Sequence, residues 1–195
     1  MNYLLEERNV WNREIVENKT LSRVLGISLF TILTMLGAFV VIPLPFTPVP
    51  ITMQTFFVLL SGLFLKKYDC SISQFIYLAL GLIGLPIFSG ATGGTRVILG
   101  PTGGYLIGFI AAPYAVSLIN STLKSFTDYS RILLSLIAGT IIIHILGVIN
   151  LAAFLKTNTV TAIGLGSLPF IFGDLIKILA GTHLVLAFNK ISQKK

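Results

Sequence analysis

The stretch LPFIFGDLIKILAGTHLVLAFN, residues 168–189, decides the fold, because it places two opposite charges inside a long apolar run. The run is long enough to cross a membrane as a helix, which takes about 20 mainly apolar residues. Asp174 and Lys177 are three residues apart, so they share one face of such a helix. A charge at the centre of a bilayer costs on the order of 2.5–3.5 kcal/mol, so both side chains are expected to face protein or water.

The composition of the whole chain indicates an integral membrane protein. Of its 195 residues, 54% are hydrophobic and 11% are charged, and the mean hydropathy is +0.90. Soluble domains carry about 25% charged residues. Cys70 is the single cysteine, which excludes an internal disulfide, and no cluster of ligands predicts a metal or other cofactor. The acidic residues near the start do not fit a cleavable signal peptide.

Six apolar segments are predicted to be membrane helices, which makes this an all-α fold. Residues 1–20 are predicted to be a polar cytoplasmic leader, and residues 21–195 a single six-helix transmembrane domain. The second and third segments only just reach spanning length. The predicted helices are Leu21–Ile42, Thr52–Leu65, Ser71–Leu85, Gly103–Leu123, Arg131–Leu155 and Leu168–Asn189.

The basic residues predict the orientation of these helices. Cytoplasmic connections are enriched in Lys and Arg. With six helices, the side that holds both termini carries 11 of the 14 basic residues, and the other side carries only Arg96 and Lys156. Both termini are therefore predicted to be cytoplasmic. The net charge of +7 is explained by this distribution and does not indicate nucleic acid binding.

In this orientation the sixth helix begins outside, and its charges lie in the outer half of the membrane. At 1.5 Å per residue, Asp174 is roughly 10 Å and Lys177 roughly 15 Å from the start of the helix. Ser167 and Pro169 suit its first turn. Two interpretations are open at this point: an ion pair that joins helices, or a ligand site reached from outside.

A glycine-rich stretch, SGATGGTRVILGPTGGYLIGF at residues 89–109, precedes and enters the fourth helix. It lacks the lysine of a phosphate-binding loop, so a nucleotide site is excluded. Glycines such as Gly93 and Gly94 allow the chain to fold back tightly over a pocket. Arg96 is the one charge in this stretch, and a guanidinium suits a carboxylate or, alternatively, lipid headgroups.

Several polar side chains are predicted either to line a pocket or to pack between helices. Gln54 follows the proline-rich connection PFTPVPITMQTF, residues 45–56, and enters the second helix. Tyr105 offers an aromatic surface with a hydroxyl group. The same two interpretations apply to Tyr77, to Asn150 and to His144, since a lone histidine on an apolar face is more often a packing residue.

Four motifs together resemble the BioY family, the biotin-binding membrane subunits (S components) of energy-coupling-factor (ECF) transporters. They are PVPITMQTF, GLIGLPIFSGATGG, LGPTGGYLIGF and PFIFGDLIK. The resemblance implies capture of biotin from the external face of the cell inner membrane, with Asp174 and Lys177 as the substrate pair. The carboxylate suits the ureido N–H groups, whereas Lys177 or Arg96 suits the ureido carbonyl or the valerate carboxylate.

The resemblance also implies partners. Relatives dock onto a transmembrane coupling subunit through an Ala-x-x-x-Ala pattern on the first helix, where this chain has Ser28 and Ile32. A slim surface on that helix is expected from Gly26, Thr31, Thr34, Gly37 and Ala38. Because the chain has no Walker-type loop, two ABC-type ATPases would be separate subunits.

Other interpretations remain open at this stage. The chain could act alone as a low-flux carrier of biotin or another vitamin. A structural scaffold would leave the glycine-rich stretch unexplained. An enzyme that uses His144 with Asp174 or a serine is disfavoured, since no nucleophile or zinc-protease motif is present, and no enzymatic activity is expected.

Overall fold

The computed structural model of the protein describes residues 18–193. The predicted leader, residues 1–20, lies outside the described residues except at its end, where the first helix already begins. Asn18 caps this helix, since its side chain accepts from the backbone N–H groups of Thr20 and Leu21. The helices are α1 (Lys19–Phe39), α2 (Gln54–Phe64), α3 (Lys67–Leu82), α4 (Thr95–Ile98), α5 (Gly103–Thr122), α6 (Asp128–Leu155), α7 (Thr159–Gly166) and α8 (Ile171–Gln193).

Four of the described helical segments are long and apolar enough to cross a membrane. They are Lys19–Phe39, Gly103–Thr122, Asp128–Leu155 and the continuous stretch Thr159–Ser192. The prediction of a helical, multi-pass membrane protein is therefore confirmed. With 11 and 16 residues, α2 and α3 fall short of the roughly 17 that a perpendicular span requires. The count of six spans stays a prediction.

The connections contain structure that the sequence did not predict. The first helix ends at Phe39, because Val41–Ile42 (β1) pairs in antiparallel fashion with Ile51–Thr52 (β2) and closes the proline-rich connection into a hairpin. Before α8, the chain forms the separate helix α7 and a 3-10 turn, Leu168–Phe170. Ser167 precedes this turn, as predicted, but its side chain makes no capping hydrogen bond.

Helices α5 and α6 pack closely against each other, because glycines lie at the contact between them. A Cβ atom at Gly104 would lie 2.2 Å from the carbonyl oxygen of Leu146. On the other helix, a Cβ atom at Gly147 would lie 2.2–2.4 Å from ring atoms of Tyr105. Neither site can accept a side chain without movement. This close packing brings Tyr105 of α5 beside His144 of α6, with ring centroids 6.3 Å apart.

The interpretation of α1 as a slim docking surface is wrong for the residues proposed. A Cβ atom at Gly37 would lie 2.9 Å from the backbone nitrogen of Gln54, so α2 already occupies this face. Thr31 donates to the carbonyl oxygen of Ser73 in α3. The small residues of α1 therefore pack inside the protein, where all five are buried: Gly26, Thr31, Thr34, Gly37 and Ala38. Ser28 and Ile32 are exposed.

A second charged pair joins α1 to α3. Arg23 Nη2 lies 2.6 Å from Asp69 Oδ1, and Nε donates to the same oxygen at 2.7 Å. The Asp69 side chain is 6% exposed, whereas that of Arg23 is 53% exposed. The ion pair thus lets α3 bury a carboxylate near its first turn, where the helix dipole also favours negative charge.

The glycine-rich stretch folds back against the end of α3. Gly94 has a φ of +86°, a conformation that favours glycine, and its N–H donates to the carbonyl oxygen of Gly81 at 2.7 Å. A Cβ atom at Gly93 would lie 2.3 Å from the carbonyl oxygen of Leu85. As a result, Phe88 is buried and packs edge-on against Tyr77, with centroids 5.4 Å apart.

Candidate functional site

A cavity lies at one end of the helical bundle, where the β hairpin, the glycine-rich stretch and four helices meet. Its walls are mainly apolar and aromatic, but several polar groups converge on it. The space that the centre of a water molecule can reach is about 70 Å³, several times the ~10–15 Å³ that one water requires. The polar and charged lining residues are Thr52, Gln54, Thr55, Ser89, Thr102, Tyr105, Thr140, His144, Asp174 and Lys177.

Asp174 is the acceptor at the centre of the polar cluster. It lies in the first turn of α8, where the helix dipole favours a carboxylate, and its side chain is 10% exposed. Its Oδ1 accepts from Lys177 Nζ at 3.1 Å, and its Oδ2 lies 2.7 Å from His144 Nε2. Both oxygens keep further lone pairs, so the carboxylate can accept additional hydrogen bonds from a ligand.

Lys177 is held on two sides and has one donor left. Its Nζ donates to Asp174 and, at 2.9 Å, to the hydroxyl of Thr55 in α2. An ammonium group carries three N–H donors. Within residues 18–193 the third donor has no partner, and Lys177 lines the cavity. The prediction that Asp174 and Lys177 share a face is confirmed.

His144 completes the cluster, although the sequence favoured a packing role for it. Its Nε2 contacts Asp174, and its Nδ1 lies 3.3 Å from the carbonyl oxygen of Gly166. Both the contact and the position beside the cavity depend on the packing of α6 against α8. The sequence signal that was available is the presence of a histidine in the middle of a mainly apolar predicted span.

Gln54 and Tyr105 line the cavity, but their polar atoms also bind protein groups. The Tyr105 hydroxyl donates to the carbonyl oxygen of Gly166 at 2.6 Å. The Gln54 amide donates to the Tyr77 hydroxyl and its Oε1 accepts from Thr52 at 3.0 Å. Tyr77 in turn donates to the carbonyl oxygen of Ile87, two residues before the glycine-rich stretch. This chain of hydrogen bonds connects α2, α3 and the cavity wall.

The three other predicted site residues lie outside the cavity lining. Arg96 is exposed on α4, next in sequence to Val97, which does line the cavity. Gly93 and Gly94 shape the glycine-rich stretch through a close backbone contact and a positive φ. A direct role for these three in ligand binding stays a prediction. Asn150 also lies apart from the cavity and donates to the carbonyl oxygen of Gly100.

The fold and the cavity together define a helical, multi-pass membrane protein with charged groups in a mainly apolar pocket. Comparisons with known proteins give a narrower assignment. A model of the BioY family matches residues 11–194, and the chain belongs to this family.

Two relatives and one solved structure illustrate the similarity. Biotin transporter BioY of Thermotoga maritima is 39% identical over 167 residues, covering 86% of this chain and 95% of that protein. Probable biotin transporter BioY of Pyrococcus horikoshii is 38% identical over 161 residues, covering 83% and 91%. A crystal structure of the S component for biotin from an ECF-type ABC transporter superposes with a TM-score of 0.81 at 28% identity, covering 93% of this chain and 95% of that one.

Proposed function

We propose that this protein is a biotin uptake subunit, which binds biotin from the external side and delivers it inward. The observation that carries the proposal is the pairing of an acceptor and a free donor on one wall of an apolar cavity. Asp174 keeps lone pairs to accept with, and Lys177 keeps one N–H to donate. Membership of the BioY family supports biotin as the ligand.

The ureido ring of biotin matches this pair. Its N–H groups are donors that the Asp174 carboxylate would accept, and its carbonyl oxygen lies beside them and would accept from Lys177. Asp174 Oδ1 and Lys177 Nζ are only 3.1 Å apart, which suits adjacent donor and acceptor groups on one ring. Charge-assisted hydrogen bonds of this kind are roughly twice as strong as neutral ones.

The rest of biotin would occupy the apolar part of the cavity. The thiophane ring and the alkyl chain are apolar, and aromatic side chains such as Phe88, Phe109 and Phe170 line the walls. The valerate carboxylate requires a donor at the other end. Arg96 is a candidate for this role, because it lies in the glycine-rich stretch and neighbours Val97 of the lining.

The cavity would open to the outside of the cell, and the protein would lie in the cell inner membrane. This orientation rests on the excess of Lys and Arg that six spans place on the side of the termini. It requires α2 and α3 to act as short spans beside the four long ones. The chain from residue 21 onward would then be one transmembrane domain, preceded by the polar cytoplasmic leader.

The transport partners would be a transmembrane coupling subunit and two ABC-type ATPases. Similarity to an S component from an ECF-type transporter supports this kind of assembly. The exposed face of α1 that includes Ser28 and Ile32 is available for the coupling subunit, with Leu25, Leu29 and Leu36 beside it. Action without these partners, as a slow carrier, is the alternative, and co-purification with the ATPases distinguishes the two.

A direct binding measurement tests the proposed function. The full chain in lipid nanodiscs is titrated with biotin, and the variants Asp174→Asn and Lys177→Ala are compared with it. We expect binding by the parent and a loss of at least about a hundredfold in each variant, because each leaves a buried polar partner unsatisfied. Folded variants that bind biotin like the parent would contradict the site. Binding of a different vitamin, with none of biotin, would contradict the ligand.

A further inference from the structure

His144 lies between two groups that can only accept hydrogen bonds. Its Nε2 is 2.7 Å from Asp174 Oδ2, and its Nδ1 is 3.3 Å from the carbonyl oxygen of Gly166. A carbonyl oxygen has no proton to donate, and neither has an ionised carboxylate. A neutral imidazole carries one N–H and can serve only one of these acceptors. Both hydrogen bonds form only when the Asp174–His144 pair holds one additional proton.

The additional proton can reside on either partner and give the same two hydrogen bonds. With the proton on His144, both ring nitrogens donate. With the proton on Asp174, the carboxyl group donates to Nε2, and Nδ1–H still donates to Gly166. The proton therefore belongs to the pair and is lost in one coupled step. In both cases the pair is neutral overall, so the net charge of the cluster is the single positive charge of Lys177.

The surroundings of His144 contain few other groups that titrate. From α5, Tyr105 faces the imidazole edge-on and donates to the same Gly166 oxygen at 2.6 Å. From α8, Asp174 contacts the imidazole, and Lys177 binds the other oxygen of the same carboxylate. Neither α2 nor α7 carries a titratable side chain. The Gly166 oxygen has two lone pairs, which Tyr105 and His144 fill.

Loss of this proton breaks a contact whichever tautomer remains. If the remaining proton is on Nε2, the Nδ1 lone pair faces the Gly166 oxygen. If it is on Nδ1, the Nε2 lone pair faces the carboxylate of Asp174. In the first case the junction between α7 and α8 would be less firmly held to α6, and in the second case the carboxylate would lose a partner that fixes its position.

We propose that the Asp174–His144 pair links ligand binding to a proton, with His144 as a positioning residue for Asp174. The inference rests on the proposed function, because Asp174 is the group that would receive the ureido N–H. The protonated pair holds the carboxylate in place. It also leaves the positive charge of Lys177 uncompensated, which favours a ligand with one negative charge, such as biotin. Both effects predict tighter binding at low pH.

The test measures the biotin Kd of the full chain in nanodiscs from about pH 5 to about pH 9, the range around histidine titration. We expect a constant Kd at the acidic end and a rise approaching tenfold per pH unit at the alkaline end, since only the protonated fraction binds well. Titration calorimetry in two buffers of different ionisation enthalpy should show proton uptake on the alkaline side, up to one proton per biotin.

Two variants identify the titrating group. His144→Gln keeps an amide N–H toward Asp174 but does not titrate, so its Kd should not vary with pH and its proton uptake should vanish. His183→Gln changes the other histidine of the chain, which contacts the Leu179 carbonyl oxygen in α8, and it should keep the profile of the parent.

The outcomes separate this inference from the proposed function. Biotin binding with a flat pH profile and no buffer-dependent heat in the parent would overturn the proton linkage and leave the function standing. An unchanged pH profile in His144→Gln would assign the proton to another group and also overturn the inference. Absence of biotin binding at every pH would overturn the proposed function itself. If His144→Gln fails to fold, the calorimetry of the parent still decides.

Discussion

Lys177 Nζ in α8 lies 2.9 Å from Thr55 Oγ1 in α2, so two residues separated by 122 positions fix one ammonium group in the cavity wall. The hydroxyl of Thr55 is placed there by the first turn of α2, which begins directly after the β hairpin. The contact gives Lys177 a second protein partner besides Asp174 and so helps to hold its ammonium group in the cavity wall. It also makes the hairpin part of the site.

Replacement of Thr55 tests this relationship. Thr55→Val keeps the shape of the side chain but removes the acceptor, so the ammonium of Lys177 would lose one of its two protein partners. We expect the Kd for biotin to rise about tenfold or more, since hydrogen bonds to charged groups contribute roughly 1.5–3 kcal/mol. Equilibrium binding of labelled biotin measures the change.

The matched control is Thr55→Ser, which keeps the hydroxyl and should bind within a few fold of the parent. A Thr55→Val protein that binds as tightly as Thr55→Ser would show that the hydroxyl does not position Lys177. A melting curve of each variant separates a loss of binding from a loss of folding.

The sequence predicted the long helices and the charged pair because both signals are local. Apolar length alone identified the four long spans, and a spacing of three residues placed Asp174 and Lys177 on one face. Only short-range geometry was required. The end of the first helix was predicted less well, because Val41 leaves the helix to pair with Thr52 in a strand that the proline-rich connection did not reveal.

Contacts between distant helices were the part that the sequence did not determine. His144 meets Asp174 across 30 positions, and a polar residue in a mainly apolar span does not indicate its partner. The same limit explains the error on α1. Gly37 and Ala38 suit close packing, but only the position of α2 decides that this packing is internal. The position of Arg96 could not be predicted for a different reason. It depends on the backbone conformation of several neighbouring glycines, and glycine can adopt many conformations.

Gly147 should tolerate no side chain, because the Tyr105 ring that packs against it is held in place by its hydroxyl group. An added Cβ atom would lie 2.2–2.4 Å from the Tyr105 ring, and the hydroxyl of that ring is bound to the Gly166 oxygen. The ring therefore cannot move aside without losing the hydrogen bond. We expect Gly147→Ala to lower the free energy of unfolding by about 1–3 kcal/mol and to weaken biotin binding.

The control for this substitution is Gly164→Ala in α7, where an added Cβ atom would meet no atom within 4 Å. Since alanine favours helices by about 1 kcal/mol relative to glycine, this variant should be as stable as the parent or more so. Thermal unfolding of both variants in the same detergent measures the contrast. Equal stability of the two would mean that α5 and α6 can separate.

Tyr105→Phe separates the hydroxyl of Tyr105 from its ring. The variant keeps the cavity wall but leaves the Gly166 oxygen with His144 as its donor. We expect a loss of about 1 kcal/mol in the free energy of unfolding, the usual net contribution of one neutral hydrogen bond. Biotin affinity should change less than in Thr55→Val, because the hydroxyl is already bound to protein. A larger loss of affinity in Tyr105→Phe would indicate that the hydroxyl meets the ligand.

The Arg23–Asp69 pair should stabilise the protein without affecting the cavity. Arg23→Gln would leave the nearly buried carboxylate of Asp69 without its charged partner, 2.6 Å away in the parent. We expect the free energy of unfolding to fall by about 1–3 kcal/mol, with biotin affinity unchanged. The matched control is Arg131→Gln, which likewise leaves a carboxylate without its charged partner, but that of Asp128 is 45% exposed, so the loss should be about 1 kcal/mol or less. Similar losses in both variants, measured by thermal unfolding, would show that burial of Asp69 does not set the strength of its ion pair.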